Sequence, residues 1–280
     1  MRIDETIKQA TQSLSGISDS PRLDAEILLS HALQKNRSFL YAYPEYELSH
    51  AEQVLWQQLI AQRLQSVPVA YLVGEREFWS LSFFVSPATL IPRPATESMV
   101  AYIINHYPNT PLQVCDLGTG TGAIAISLKH ERPLWDVFAI DIQPDAIALA
   151  QKNAQRHHTP IHLICSNWFE KIPKSKFHII VSNPPYIDPE DPHLQQGDVQ
   201  HEPLSALVSQ EYGLADIEYL LKNSAKHLHP QGMLIFEHGY DQQERILQMM
   251  QAYGWQNVQG FQDDEGQPRF CVGYQHDPSQ

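Results

Sequence analysis

The sequence predicts an α/β fold: a doubly wound, mostly parallel sheet of seven strands, preceded by a small all-helical domain and joined to it by a β-hairpin linker. Three observations predict it. From about residue 112, short apolar runs alternate with segments of helical period, the pattern of successive βαβ units. The first run ends in Asp116-Leu117-Gly118-Thr119-Gly120-Thr121-Gly122, a glycine-rich strand-to-helix turn. The first 70 or so residues, by contrast, carry apolar residues at helical spacing. The expected divisions are residues 1–70 (helical), 71–94 (hairpin linker) and 95–280 (sheet domain).

In the helical part, Ile3, Ile7, Ala10 and Leu14 share one helix face, and Gly16 and Pro21 bracket a break. Leu23 to Leu33 is apolar on one side through Ala25, Ile27, Leu28, Leu29, Ala32 and Leu33, with Ser20-Pro21 as its start. Ser49-His50-Ala51-Glu52 is a capping-box pattern. It opens a third helix with an expected buried stripe of Val54, Leu55, Leu59, Ile60 and Leu64. A domain of this size ahead of a larger one reads equally as a structural element and as a partner-binding module.

Pro68 to Gly74 changes the register. Phe78-Trp79-Ser80-Leu81-Ser82-Phe83-Phe84-Val85 is aromatic and β-branched and reads as a hairpin. Two prolines force Ile91-Pro92-Arg93-Pro94 into an extended path. Thr96 then caps a helix to about His106, with Glu97 in its first turn. Strands are expected near 112–117, 136–141, 161–165, 177–182, 232–237, 255–261 and 269–274. Helices are expected near 122–130, 143–156, 213–229 and 241–253. No helix separates the last two strands, so these pair antiparallel across the polar turn Gln262 to Pro268.

Composition narrows the function. With 19 Lys and Arg against 32 Asp and Glu, the net charge is −13, which opposes direct binding of nucleic acid. Hydrophobic residues make up 42%, enough for a packed core. Cys115, Cys165 and Cys271 lie in or beside apolar runs without metal spacing and read as buried free thiols of a reducing compartment. The histidines, His157-His158 among them, form no ligand pattern, so no metal is expected. Met1-Arg2-Ile3-Asp4-Glu5 does not start a signal peptide, and no run approaches the roughly 20 apolar residues of a membrane span. The expected location is the cytoplasm.

The chemistry concentrates at Ser182-Asn183-Pro184-Pro185-Tyr186, which follows the apolar strand Phe177 to Val181. Pro184 and Pro185 end that strand and leave the segment at the carboxyl edge of the sheet, where open α/β sheets bind ligands. The Asn183 side-chain carbonyl and the Pro184 backbone carbonyl are two acceptors for the two hydrogens of a planar NH2 group, and the Tyr186 ring can lie against its plane. Such a pattern favours methylation of a weakly nucleophilic amide or exocyclic amine, because the acceptors stabilise the nitrogen as it attacks. A plain turn is the competing reading of Asn-Pro.

Gly118-x-Gly120-x-Gly122 differs from the dinucleotide spacing, and Asp116 offers an acceptor suited to an ammonium group rather than a phosphate. Asp141 ends the second strand about 20 residues further on, placed to accept both hydroxyls of a ribose. Ser166-Asn167-Trp168-Phe169 ends the third, where a polar side chain and a ring can flank an adenine. In this order, ahead of Asn183-Pro184-Pro185-Tyr186, these pieces point to S-adenosylmethionine.

The chain thereby resembles the class I S-adenosylmethionine-dependent methyltransferases, and among them the PrmC (HemK) family of protein glutamine methyltransferases. The matching stretches are Pro21 to Leu29, Pro68 to Leu72 with Gly74, Ile91 to Pro94, Asp116 to Gly122, Asp141, Asn183 to Ile187, Glu202-Pro203-Leu204 with Ala206-Leu207, and Glu237-His238-Gly239. The resemblance implies a Rossmann-like seven-stranded domain behind a helical domain and a β-hairpin. It implies methylation of the N5 nitrogen of the glutamine in the Gly-Gly-Gln motif of bacterial class I peptide chain release factors, with S-adenosylhomocysteine as product. It sets Gly118, Thr119, Gly120, Thr121, Gly122, Asp141, Trp168 and Asn183 around the cofactor, and Asn183, Pro184, Pro185 and Tyr186 on the glutamine. Ala95 stands where the family usually has an acid, while Thr96 and Glu97 are as expected. No general base is assigned; His201 and Glu202 are the nearest candidates. A ribosomal-protein glutamine and the N6 amine of adenine are the alternative substrates.

Overall fold

The structure, a computed structural model, describes residues 1–276. Its contacts divide the chain into two units: Met1–Glu75 with Pro192–His201, and Arg76–Asp191 with the residues from Glu202 on.

The first unit is helical: α1 (Ile3–Leu14), α2 (Pro21–Leu33), α3 (Arg37–Ala42), α4 (His50–Arg63) and α5 (Val69–Val73). Ile3, Ala10, Ala25, Leu28, Leu29, Leu33 and Leu59 form its core as their spacing predicts. The capping box forms, with Ser49 N donating to Glu52 Oε2 at 2.7 Å and Glu52 N to Ser49 Oγ at 3.4 Å. The stripe of α4 differs from expectation. Val54 and Leu64 are each 41% exposed, because the buried face runs instead through Trp56, Leu59 and Arg63. Arg63 has a reason to turn inward: its Nε donates to Asp24 Oδ2 at 2.8 Å and its Nη1 to Asp198 Oδ1 at 2.5 Å. Asp198 belongs to Pro192–His201, a stretch expected inside the sheet domain that groups by contact with the helices. The short α3, which starts where Asn36 Oδ1 accepts from Phe39 N, has too few residues to show a period.

The second unit begins at Arg76, inside the hairpin of β1 (Glu75–Phe78) and β2 (Leu81–Phe84), which turns at Trp79 and Ser80 with positive φ at both. The hairpin is no free linker. Phe78 and Phe83 are buried in the core of this unit, and Asn153 clamps Phe84, accepting from its N–H at 2.7 Å and donating to its carbonyl at 3.0 Å.

The sheet contains β3 (Gln113–Leu117), β4 (Asp136–Asp141), β5 (His162–Cys165), β6 (Phe177–Ser182), β7 (Leu228–Glu237), β8 (Gln256–Gln262) and β9 (Pro268–Tyr274) in the order β5-β4-β3-β6-β7-β9-β8. β3 to β7 run parallel, and β9 is antiparallel to both its neighbours. Side chains alternate by strand period. Val114, Ala139, Ile179, Val181 and Ile235 pack into one layer with α6 (Pro94–His106), α7 (Ala123–Glu131) and α8 (Pro144–Arg156). Cys115, Ile140, Ile180, Leu234 and Phe236 pack into the other, which includes Ile217 and Ile246. These two come from α10 (Ala215–Asn223) and α11 (Gln243–Ala252), and the single turn α9 (Gln210–Gly213) precedes α10.

Two expectations shift. The helix expected over 213–229 ends at Asn223, tightens to a 3₁₀ turn over Ser224–His227, and gives up Leu228 to a longer β7. Cys165 is exposed, unlike the buried Cys115 and Cys271, because β5 is an edge strand. Among the described residues no helix is long and apolar enough to cross a membrane, and no group of three His, Cys, Asp or Glu is placed to hold a metal.

Candidate active site

Strand order reverses at β3, whose neighbours β4 and β6 lead away to opposite sides, and such a switch point opens a crevice at the carboxyl ends. A cavity of about 360 Å³ lies there. The glycine turn forms its floor. Gly118 N and Thr119 N both donate to Ile140 O, at 2.9 and 2.8 Å, which ties the turn to the end of β4. Gly118, Gly120 and Gly122 all have positive φ. At Gly122 a Cβ would stand 2.9 Å from Ile126 Cδ1, so glycine is also what lets α7 start against α8.

Asp141 Oδ2 accepts from Gly120 N and its Oδ1 from Gln143 N, both at 2.9 Å. Each oxygen keeps a lone pair for a further donor. Burial raises its pKa, and the backbone hydrogen bonds oppose that. Asp116 lies behind the turn rather than in the cavity lining. Its Oδ2 accepts from Thr119 Oγ1 at 2.6 Å and Ala125 N at 3.2 Å, while its buried Oδ1 has no hydrogen-bond partner. Burial, with a contribution from the nearby Asp141 charge, pushes its carboxyl up to about 7.

Of the residues singled out from the sequence, Gly118, Thr119, Gly120, Thr121, Asp141, Trp168, Asn183 and Pro185 line this one cavity. Gly122, Pro184 and Tyr186 do not. Phe169 turns away into the core and stacks on His227 with ring centroids 4.5 Å apart.

The Asn-Pro-Pro-Tyr segment leaves β6 and is pinned from several sides. Tyr186 N donates to Leu207 O at 3.1 Å, and Gln242 Nε2 donates to Tyr186 O at 2.9 Å. Tyr186 OH donates to Glu237 Oε1 at 3.0 Å. Burial, then the adjoining Glu237 charge, raises the Tyr186 pKa. Glu237 Oε2 accepts from Thr96 Oγ1 at 2.5 Å, and Asn183 Nδ2 donates to Thr96 Oγ1 at 3.4 Å. Burial raises the pKa of Glu237, against the pull of the two hydroxyls, Arg269 and Arg93.

Glu202 is a brace: it accepts from Ile91 N at 2.9 Å and pairs with Arg93, holding the Ile91-Pro92-Arg93-Pro94 strap. His201 Nε2 donates to Gln65 O at 3.0 Å, within the helical unit.

The family model described as the PrmC N-terminal domain matches residues 5–74, and that described as the methyltransferase small domain matches residues 95–200. The release factor glutamine methyltransferase of Escherichia coli (strain K12) is 44% identical over 274 residues, 98% of this chain and 99% of that protein. The chain belongs to the release factor glutamine methyltransferase family. Another protein of that name, from Salmonella typhimurium (strain LT2), is 46% identical over 259 residues, 91% of this chain and 93% of that one. Among solved structures, a methyltransferase from Pyrococcus furiosus superposes with a TM-score of 0.55 at 16% identity, covering 79% of this chain and 98% of its own, a likeness of fold. The seven-stranded α/β class and the helical N-terminal region expected from the sequence are thus found in a member of this family.

Sequence reasoning assigned no role to Glu237 or Gln242. Glu237 had a signal, as the acid that ends a strand in Glu237-His238-Gly239; Gln242 had none, being one polar residue in a polar stretch.

Proposed function

We propose that this enzyme transfers a methyl group from S-adenosylmethionine to the N5 amide nitrogen of the glutamine in the Gly-Gly-Gln motif of bacterial class I release factors. The products are the N5-methylated glutamine, which modulates translation termination, and S-adenosylhomocysteine. One observation carries the reading. Asn183 lines the same cavity as Gly118 to Thr121 and Asp141, in a chain whose relatives over nearly its full length are named release factor glutamine methyltransferases.

The residues suit the cofactor. The cavity is of ligand size, Asp141 has lone pairs to spare, and the unpartnered Asp116 Oδ1 is an acceptor behind the turn. Trp168 is the flat apolar surface for an adenine, and Gly118 to Thr121 leave room for the chain between. When bound, S-adenosylmethionine supplies a methyl carbon on a positively charged sulfur that departs as a neutral thioether. Asn183 Oδ1 and Pro184 O accept the two amide hydrogens and hold the nitrogen in line, and Pro185 and Tyr186 shape the slot around the amide plane. Positive charge growing on the nitrogen strengthens both hydrogen bonds, so they favour the transition state over the bound glutamine. The methylated amide then gives its extra proton to water, and with a neutral leaving group the step requires no acid, base or metal. Glu202 and His201 are left to structural roles.

The helical unit is the proposed seat of the release factor, and the cytoplasm, where that partner works, is the proposed location. The net charge of −13 argues against direct contact with nucleic acid. The test is transfer of labelled methyl to a purified release factor, to the same factor with its Gly-Gly-Gln glutamine replaced by alanine, and to unmethylated DNA. Label in the first alone is expected. Label in DNA alone would replace this reading with an adenine methyltransferase, and label in none would leave the ribosomal-protein glutamine.

A further inference from the structure

Glu237 ends β7 with 1% of its surface exposed and does not line the cavity. Nothing in the chemistry above uses it. Yet its two oxygens take hydroxyl donors from two separate parts of the site, Thr96 on α6 and Tyr186 of the Asn-Pro-Pro-Tyr segment.

A threonine hydroxyl has one proton. At 2.5 Å from Glu237 Oε2, the Thr96 proton is committed to the carboxylate. Toward Asn183, Thr96 Oγ1 can then only accept. This decides which end of the Asn183 amide faces it: the NH2 lies against Thr96 at 3.4 Å and Oδ1 is left for the substrate. An amide turned over would set Oδ1 against the threonine lone pairs and offer an NH2 to an NH2. Methyl transfer to an amide nitrogen needs the first arrangement, because both groups on the incoming nitrogen are donors.

We propose that Glu237 is a positioning residue for this reaction: an acceptor-only carboxylate that, through the Thr96 hydroxyl, orients the Asn183 amide with its oxygen toward the substrate, and that holds Tyr186 by its phenol. The proposal rests on the methyl-transfer reading. It also explains why a carboxyl stays in a place where burial penalises its charge. A glutamine there would carry a donor at one end. With that donor against Thr96, the hydroxyl proton is released toward Asn183 and draws the wrong end of the amide inward.

The test uses Glu237→Gln, Thr96→Val, Thr96→Ser and the double variant Glu237→Gln/Thr96→Val. Methyl transfer to a purified release factor gives kcat and KM, calorimetry gives the Kd for S-adenosylmethionine, and the thermal midpoint reports folding. Glu237→Gln and Thr96→Val are expected to lower kcat about tenfold or more, as loss of an oriented polar group does, with KM and Kd little changed. Thr96→Ser keeps the hydroxyl and restores most of kcat. The double variant is no slower than the slower single one, since both break one relay. Wild-type kcat in Glu237→Gln, or losses that multiply in the double variant, would overturn the proposal. If Glu237→Gln does not fold, the threonine pair decides: equal rates for Val and Ser overturn it. A wild type that labels no release factor refutes the functional reading instead. The relay is then read without turnover, from the Asn183 side-chain amide protons in a nitrogen-15 NMR spectrum. Glu237→Gln and Thr96→Val should shift them alike, and unchanged resonances would sink the relay.

Discussion

A Cβ at Gly213 would stand 2.1 Å from the carbonyl oxygen of Tyr186. No atom pair tolerates that approach, so the glycine sets how closely the Asn-Pro-Pro-Tyr segment packs against the turn before α10. Its φ of +79° lies in the left-handed region as well. The oxygen it shelters is the one that accepts from Gln242 Nε2. Gly213→Ala is therefore expected to displace Tyr186 and cost about 1–3 kcal/mol through strain and overpacking. Denaturation should show that loss, and methyl transfer should slow more than cofactor binding weakens. A variant with wild-type stability and rate would mean that the turn yields at no cost.

Asn183 and Asp141 should separate chemistry from cofactor binding. Asn183→Ala removes an acceptor proposed to act on the reacting nitrogen, and turnover is expected to fall about a hundredfold or more with an unchanged circular dichroism spectrum. Asp141→Ala removes a charged acceptor proposed for the ribose and should weaken S-adenosylmethionine binding about tenfold or more by calorimetry. Full activity in the first, or unchanged affinity in the second, would count against the assigned role.

Asp116 makes stability depend on pH. Its carboxyl sits at about 7 in the fold against an ordinary 3.8. Between those values the folded chain keeps a proton that the unfolded chain has lost, so the unfolding free energy falls as pH rises from about 4 to about 7. The size is on the order of 4 kcal/mol. Asp116→Asn has no such proton to lose. Urea denaturation at a series of pH values should show the stability of the wild type, relative to this variant, declining across that window. A constant difference would show the carboxylate ionised throughout.

Arg63 should matter more to the helical unit than any exposed ion pair. It is 4% exposed and bonded to Asp24 and Asp198, so Arg63→Ala leaves a buried carboxylate without its partner. The expected loss is about 3–5 kcal/mol. Arg2→Ala, which breaks an exposed pair with Asp4, should cost about 1 kcal/mol or less. Equal losses in the two denaturation curves would deny the buried pair its role.

The glycine turn from Gly118 to Gly122, Asp141 and Asn183 were legible in the sequence because each follows a short apolar strand, and strand ends in a parallel sheet share one edge. Less legible was what stands behind them. The sequence reads Tyr186 as a ring on the substrate but does not show that its phenol is fixed on Glu237, far along the chain. The sequence reads Asp116 as a ligand acceptor but does not show that its second oxygen staples Thr119 and Ala125 from beneath. Val54 and Leu64 fit the helical period and are nevertheless exposed, because Trp56 and Arg63 take the buried face.

The sequence by itself determined the α/β class, the succession of the sheet strands and the longer helices, the glycine turn and the family. Period, proline and glycine act through local backbone sterics, which any stretch of chain carries with it. Only the tertiary structure decided that Glu237, Thr96, Asn183 and Tyr186 form one hydrogen-bonded group. It alone showed that Asp198 closes onto Arg63, that an edge strand leaves Cys165 exposed, and that Gly213 has no room for a methyl group. Those outcomes depend on which distant side chains packing brings together, and on where a buried polar group must find its partner.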